Sequence, residues 1–416
     1  MKRSQNTRGY KRYLAMDIHR EYILVGGQDE DQEWVLHPRR VSVEHFPSWA
    51  EKNLMEGDIV ILETTTNIWE TYDIAVSFVS RVLVANAAAA GEIVGARVKT
   101  DKKDIERLLR LLFGGIVPEV WVPPAHVREL RSFISYRNRL VKTSTMIRNR
   151  LNSLLHKHNL IVPKGSLLDQ AWWDEQSSIS SLERMQIRQE LLLLAEVSNQ
   201  KAAVDEELGR QSTGPVWSKQ AIQLLQLPGV GVIVAMTVLS AIGDISRFEN
   251  AKKLVGYAGL GAGVHASGKT FKEKRITKKG RKELRWALVE AAWRAVRMSP
   301  YWKGEYEKYL RRLRKPNQAI VVVARKLLVA VWHVLSKEET DIRASEEELA
   351  YKMLLLSWSL NENVRKGLSY KEFAKYALMK LGVEEDITRF ERRGVPRRLA
   401  SKAEVLTRIS ELELTF

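Results

Sequence analysis

Residues 58–64 read DIVILET. Four successive aliphatic side chains with no polar break are what a strand covered on both faces requires. Upstream lie three short β-prone runs, RYLAMDI (12–18), EYILVGG (21–27) and EWVLHP (33–38). Only a few residues separate them, so they read as an antiparallel meander. Downstream, a helical stretch opens near Ile68, a short strand follows in RVLVA (81–85), then NAAAAGEIVGA (86–96). A further helix starts within VKTDKKDIERLLR (98–110).

Three meandering strands followed by αβα alternation is the order of an RNase H-like α/β domain, here bounded at 10–120; flavodoxin-like and other α/β layouts share the pattern. The proline pair in WVPPAHV (121–127) breaks the chain. One long helix is expected over 127–158, where Phe133, Leu140, Ile147 and Leu154 recur every seventh residue and give a seam for another helix. A second helical block, about 178–211, carries Leu182, Met185, Leu192 and Leu208. It reads as the partner in a helical hairpin or as an oligomer contact. The coiled-coil-like region 121–212 is followed by a mostly helical domain at 213–338. Helices are expected there at 281–296 and 317–335. A charged helical extension, 339–416, carries no readable motif.

The chain has 416 residues, 45% hydrophobic and 28% charged, enough for two or three domains with their own cores. No run of about 18 apolar residues suggests a membrane span, and no apolar stretch follows the basic start MKRSQNTRGYKRY as a signal peptide would require. The absence of cysteine excludes disulfides, thiolate nucleophiles and cysteine-based metal sites. His156 and His158 lack the further ligands a closed zinc site needs. The net charge of +17 argues for a polyanionic partner, most simply nucleic acid.

That charge is concentrated. Over 127–158 eight residues are Lys or Arg and only Glu129 is acidic, so Arg137, Arg148 and Arg150 are candidates to meet phosphate. Between Ser267 and Arg285 nine Lys or Arg face two Glu, a net of +7. Lys269, Lys274, Arg275, Lys278, Lys279 and Arg281 are the candidates in this stretch. In LPGVGVIVAMTVLSAIGDISRF (227–248), Gly229 and Gly231 form a turn between two apolar helices, which can bare backbone N–H groups beside a helix N-terminus. A tight turn between packed helices explains the same residues.

Four acids stand apart in the first domain. Asp17 lies in the first strand and Glu63 ends the apolar one, both costly positions unless paired or metal-bound. Asp101 and Asp104, at i and i+3, share one helix face. Gathered carboxylates repel unless a cation intervenes, and Mg²⁺ suits hard oxygen ligands. Taken singly, Asp101 is equally a first-turn helix residue and Glu63 a surface strand end.

Asp17 on strand one, LETTTNIWE (62–70) and KTDKKD (99–104) resemble the DEDD transposases of the IS-one-ten and IS-eleven-eleven insertion sequences and the related invertases. The resemblance implies a RuvC-like Mg²⁺ site of Asp17, Glu63, Asp101 and Asp104. Two positions depart from the family pattern: Thr64–Asn67 stand where a Thr-Gly is usual, and Ile105 where alanine is. The turn at 227–231 is similar to the family's helix-hairpin-helix, and Ser267-Gly268, ITKKG (276–280) and LVEAAW (288–293) to its second domain. There the serine is the nucleophile, which implies Ser267 and a phosphoserine link to DNA. From composition alone Ser267 is an ordinary turn serine. The family further implies donor and target DNA as substrates, a structured noncoding (bridge) RNA as guide, a dimer or tetramer with composite active sites, and a cytoplasmic, nucleoid-associated location. Two other readings remain: a junction-type nuclease using the acids and water, and a non-catalytic nucleic-acid binding protein.

Overall fold

The computed structural model describes residues 7–93, 101–267, 270–392 and 394–414; of the side chains within these spans, those of 101, 262, 264–267 and 270–275 are not described. The chain divides into two compact units, Met1–Pro123 and Pro124–Phe416.

The first unit is a mixed α/β sheet. Strands β1 (Arg12–Ile18), β2 (Tyr22–Asp29), β3 (Trp34–Ser42), β4 (Asp58–Glu63) and β5 (Arg81–Ala85) lie in the order β3-β2-β1-β4-β5. The first three form the antiparallel meander, and β4 and β5 add in parallel. Alternation along each strand splits the core in two. Leu14, Met16, Ile18, Val60 and Leu62 pack beneath α1 (Phe46–Asn53) and α2 (Ile68–Ala75). Tyr13, Ala15, Ile59 and Ile61 face the opposite way, against Ile105, Leu108, Leu109 and Leu112 of α4 (Asp101–Phe113). This double cover is why 59–62 is apolar without interruption. Short helix α3 (Ala87–Ile93) follows β5. At the far end of β4, buried Asp58 is held by Arg12 at 2.8 and 2.6 Å. Helix α1 was not expected from sequence; its signals are Pro47 in the first turn and the inward Phe46, Trp49 and Ala50.

The second unit is mostly helical. Helix α5 (Ala125–Lys157) and helix α7 (Ser181–Thr213) run antiparallel, joined through short α6 (Gln170–Asp174). Pairs Arg150–Glu190 at 3.0 Å and Lys157–Glu183 at 2.8 Å tie them. The hairpin was one of the two expected arrangements, but its seam differs in detail. On α5 the buried line is Leu130, Ile134, Arg137, Leu140, Ile147, Leu151 and Leu155; Phe133 and Leu154 are only half-buried. On α7 the seam is Ile187, Leu194, Val197, Val204 and Leu208, whereas Leu182, Met185 and Leu192 are 79%, 64% and 61% exposed. The leucine run 191–194 offers apolar side chains to both faces, so spacing alone does not choose between them.

Next come α8 (Ser218–Leu225), α9 (Val232–Ile242) and α10 (Ala251–Tyr257), the antiparallel pair β6 (Ala262–Ser267) and β7 (Thr270–Ile276), then α11 (Lys282–Met298), α12 (Pro300–Leu313) and α13 (Pro316–Lys337). Helix α13 has the length and composition of a membrane span. Its apolar side chains are instead packed among α8, α10, α11 and α12, and Lys326 pairs with Glu305 of α12. The extension folds as α14 (Glu346–Trp358), α15 (Tyr370–Lys380), the hairpin β8 (Arg389–Arg392) and β9 (Val395–Arg398), and α16 (Lys402–Glu411).

Candidate active site

Strand parity places the acids. Asp17 follows Tyr13 and Ala15 on the α4 side of β1, and Glu63 follows Ile59 and Ile61 on the same side of β4. The two strands are adjacent and parallel. Asp104 sits one turn into α4, the helix that covers this face. Side-chain exposures are 20% for Asp17, 18% for Glu63 and 22% for Asp104, so all three are largely withdrawn from water yet reachable. Burial raises the Glu63 carboxyl above its usual range; Arg107 opposes this, and the charges of Asp17 and Asp104 raise it further. Three of the four expected acids therefore share one electrostatic neighbourhood. Asp101 opens α4 one turn before Asp104, and its side chain lies outside the described residues.

Two groups that sequence reasoning passed over stand among them. Arg107 donates to Glu63 Oε2 at 2.7 Å and lies 3.6 Å from Asp104 Oδ1. Its signal was the i,i+3 spacing from Asp104. His19 Nε2 lies 3.1 Å from Asp17 Oδ2, and its ring stacks on Tyr22. Thr64, at the departure from the family pattern, accepts from the Ala87 N–H at 3.1 Å and so caps α3. Among the described residues, no three His, Asp or Glu side chains are set to ligate one ion; Arg107 supplies the counter-charge instead. The hard oxygen donors, their mutual repulsion and their partial access still fit a divalent cation.

The second unit treats its predicted residues unevenly. Ser267 ends β6 in register with Thr270, which opens β7, rather than lying in an irregular loop. Its side chain, the whole of Lys269, and the side chains of Lys274 and Arg275 are outside the described residues. Lys278 and Lys279 are exposed just after β7. Arg281 donates to the Tyr257 hydroxyl at 3.1 Å, around which Arg247 and Arg131 also gather. Burial raises the Tyr257 phenol, but Arg281 and Arg247 more than offset it and lower it overall. Burial, helped by Arg281, lowers Arg131 to about 10.

Arg137 differs from expectation. It is buried, and its guanidinium is spent on Asp205 of α7 rather than presented to phosphate. Arg150 is exposed but paired with Glu190, and Arg148 is half-buried. Gly229 and Gly231 separate. Gly229, at φ +80°, packs so close to α11 that a Cβ would meet the Ala291 carbonyl at 2.1 Å; Gly231 faces open space at the start of α9.

With this geometry in place, comparison with known proteins gives a consistent answer. Residues 221–307, from α8 into α12, match the model of the transposase IS116/IS110/IS902 family. The chain is 32% identical to y4qE of Sinorhizobium fredii, a transposase by its name, over 66% of this chain and 68% of that one. The chain belongs to the IS116/IS110/IS902 transposase family. It is also 25% identical to the transposase for insertion sequence element IS1111A of Coxiella burnetii, over 58% of this chain and 68% of the relative. It is 27% identical to the pilin gene-inverting protein of Moraxella bovis, over 66% and 79%. As a member of a transposase and recombinase family, the protein is a DNA-processing enzyme. The matched segment spans Ser267, the basic stretch and the turn at 228–231, but none of the four acids.

Proposed function

We propose that this transposase cuts and rejoins the DNA strands of an insertion sequence, with Mg²⁺ held by Asp17, Glu63, Asp101 and Asp104 and with Ser267 as nucleophile. The observation that carries the reading is the convergence of Asp17, Glu63 and Asp104 on one face, close enough for Asp17 and Asp104 to raise the proton affinity of Glu63. The strand order β3-β2-β1-β4-β5 supports an RNase H-like, RuvC-like domain around these acids. Helices α8 and α9, joined through Pro228–Gly231, support a helix-hairpin-helix.

When bound, Mg²⁺ would hold a phosphodiester and favour the attacking oxygen. The chain's own residues perform the rest. Asp17, Glu63 and Asp104 present oxygens from two strands and a helix that the core fixes. Arg107 neutralises Glu63 and Asp104, the carboxylates that would hold the ion. Lys278, Lys279 and the neighbouring basic residues draw in and screen phosphate near Ser267. The Ser267 oxygen would form a bond to phosphorus as a sugar oxygen leaves and takes up the hydroxyl proton, which would join the protein to a strand end. A structured guide RNA suits the excess of positive charge, because backbone contacts give affinity while base pairing gives sequence. The family resemblance adds a dimer or tetramer that brings acids and serine together.

Arg107 also favours a second reading, in which the acids are a structural ion-pair cluster. One set of measurements separates the two. Calorimetry should show Mg²⁺ binding that Asp17→Asn and Asp104→Asn abolish. With DNA from the element ends, wild type should leave a covalent protein–DNA adduct that Ser267→Ala lacks. No Mg²⁺ binding would leave the structural reading standing.

A further inference from the structure

Residues 339–416 lie outside the family match, yet they complete a pocket with the family core. It encloses about 240 Å³ between the turn at Pro228, the end of α11, the start of α12 and helix α14, with Arg392 from β8 closing one side. Four cations line it, Arg297, Arg343, Lys352 and Arg392, against two carboxylates, Asp341 and Glu348. The aromatic lining is Trp302 and Tyr351.

Its chemistry is specific. The Arg343 guanidinium lies 5.6 Å from the Tyr301 ring and 5.8 Å from that of Trp302, and Arg392 lies 5.7 Å from Tyr351. Arginine beside an aromatic face is the pairing that receives an unstacked base and its phosphate. Arg343 is held by Asp341 Oδ1 at 2.8 Å, and Arg392 by Glu348 at 3.4 Å, so both guanidinium groups are positioned in advance. Among the described residues, the buried Trp302 Nε1 donor and the buried Asp341 Oδ2 acceptor have no hydrogen-bond partner. A buried polar atom left unsatisfied in a native fold calls for an explanation. Neither atom is reachable from the cavity, so the side chains that can meet a ligand are Arg297, Arg343, Tyr351 and Arg392. The volume is below the roughly 300–1,000 Å³ of drug-sized sites, so it suits one unit of a strand rather than a duplex.

We propose that this pocket takes one unstacked nucleotide of a nucleic-acid strand, its base beside Tyr351 and its phosphate among Arg297, Arg343 and Arg392. The extension thereby becomes a strand-holding element joined to the transposase core. The inference shares with the function above only that the partner is nucleic acid; it uses neither the acids nor Ser267.

The test uses the full-length protein without Mg²⁺ and with no cleavage step, so failure of the catalytic reading leaves it untouched. Hexanucleotides carrying one 2-aminopurine, as DNA and as RNA, are titrated with protein, and adenosine 5′-monophosphate is the competitor. Binding should change the 2-aminopurine fluorescence, and Arg392→Gln and Tyr351→Leu should each weaken that signal tenfold or more while the melting temperature stays near wild type. Arg343→Gln should do the same, but it also releases Asp341, so the first two variants are the decisive ones. Whichever hexanucleotide gives the larger variant effect identifies the strand as DNA or RNA. An unchanged signal in Arg392→Gln and Tyr351→Leu would overturn the proposal. Competition by the mononucleotide at the affinity of the hexanucleotide would overturn the assignment to a strand.

Discussion

With Arg107 at 2.7 Å from Glu63 and 3.6 Å from Asp104, two carboxylates draw on one guanidinium while a third, Asp17, repels Glu63 nearby. Arg107→Met should therefore lower stability in Mg²⁺-free buffer by about 1–3 kcal/mol, the usual cost of stranding a half-buried acceptor. Mg²⁺ should recover more of the melting temperature in this variant than in wild type, because the ion then meets uncompensated charge. Thermal melts with and without Mg²⁺ check both statements. A second residue gives a pH signature. Burial, helped by the Arg294 charge, lowers the Lys352 ammonium from 10.5 to about 8. The unfolded chain thus binds the proton more tightly than the folded one between those values, and stability rises with pH across that window. Relative to Lys352→Met, wild type should gain at most about 3 kcal/mol from pH 8 to 10.5. Urea titrations at successive pH values measure the difference.

At the scale of elements, the turn between α8 and α9 shows two glycines with different duties. Gly229→Ala places a Cβ against the α11 backbone in a left-handed conformation and should cost about 2–3 kcal/mol or more. Gly231→Ala meets open space at φ −103° and should stay within about 0.5 kcal/mol. Chemical denaturation of the two variants tests the contrast. The α5–α7 hairpin gives another. Burial pushes Asp205 up, but hydrogen bonds from Arg137 and Lys201 outweigh it and leave the carboxyl below its ordinary value. Asp205→Ala should cost roughly 3 kcal/mol by stranding Arg137. Lys278→Ala with Lys279→Ala should leave the melting temperature alone and flatten the salt dependence of DNA binding by about one unit of slope for each phosphate left unneutralised. Sequence showed Arg137 only as one cation among eight on the helix, because spacing does not reveal a partner 68 residues away.

For the whole molecule, the first unit carries two cores of its own on either side of one sheet. Residues 1–123 expressed alone should fold cooperatively, with a single thermal transition by circular dichroism. An unstructured fragment would contradict that independence. Most of this unit was legible beforehand, since each strand has a continuous or alternating apolar run and the double cover of β4 follows from IVIL alone. Helix α1 was not, because its eight residues are too few for periodicity to stand out. At the acid cluster the three carboxylates were legible as acids in costly positions; Arg107 carried only its i,i+3 spacing from Asp104 as a signal, and nothing local marks His19. The extension was opaque for a further reason. Its contacts reach back more than 100 residues, with Lys352 donating to the Val230 carbonyl at 2.8 Å and the Asp341 N–H to Gln226 at 2.8 Å.

Those last two bonds bear on how this transposase can be engineered. Anyone removing residues 339–416 would cut the struts that steady the 226–231 bend. A shortened version would start with a slack hinge at 226–231, and would need compensating changes at Val230 and Gln226 before it could be compared fairly with the parent.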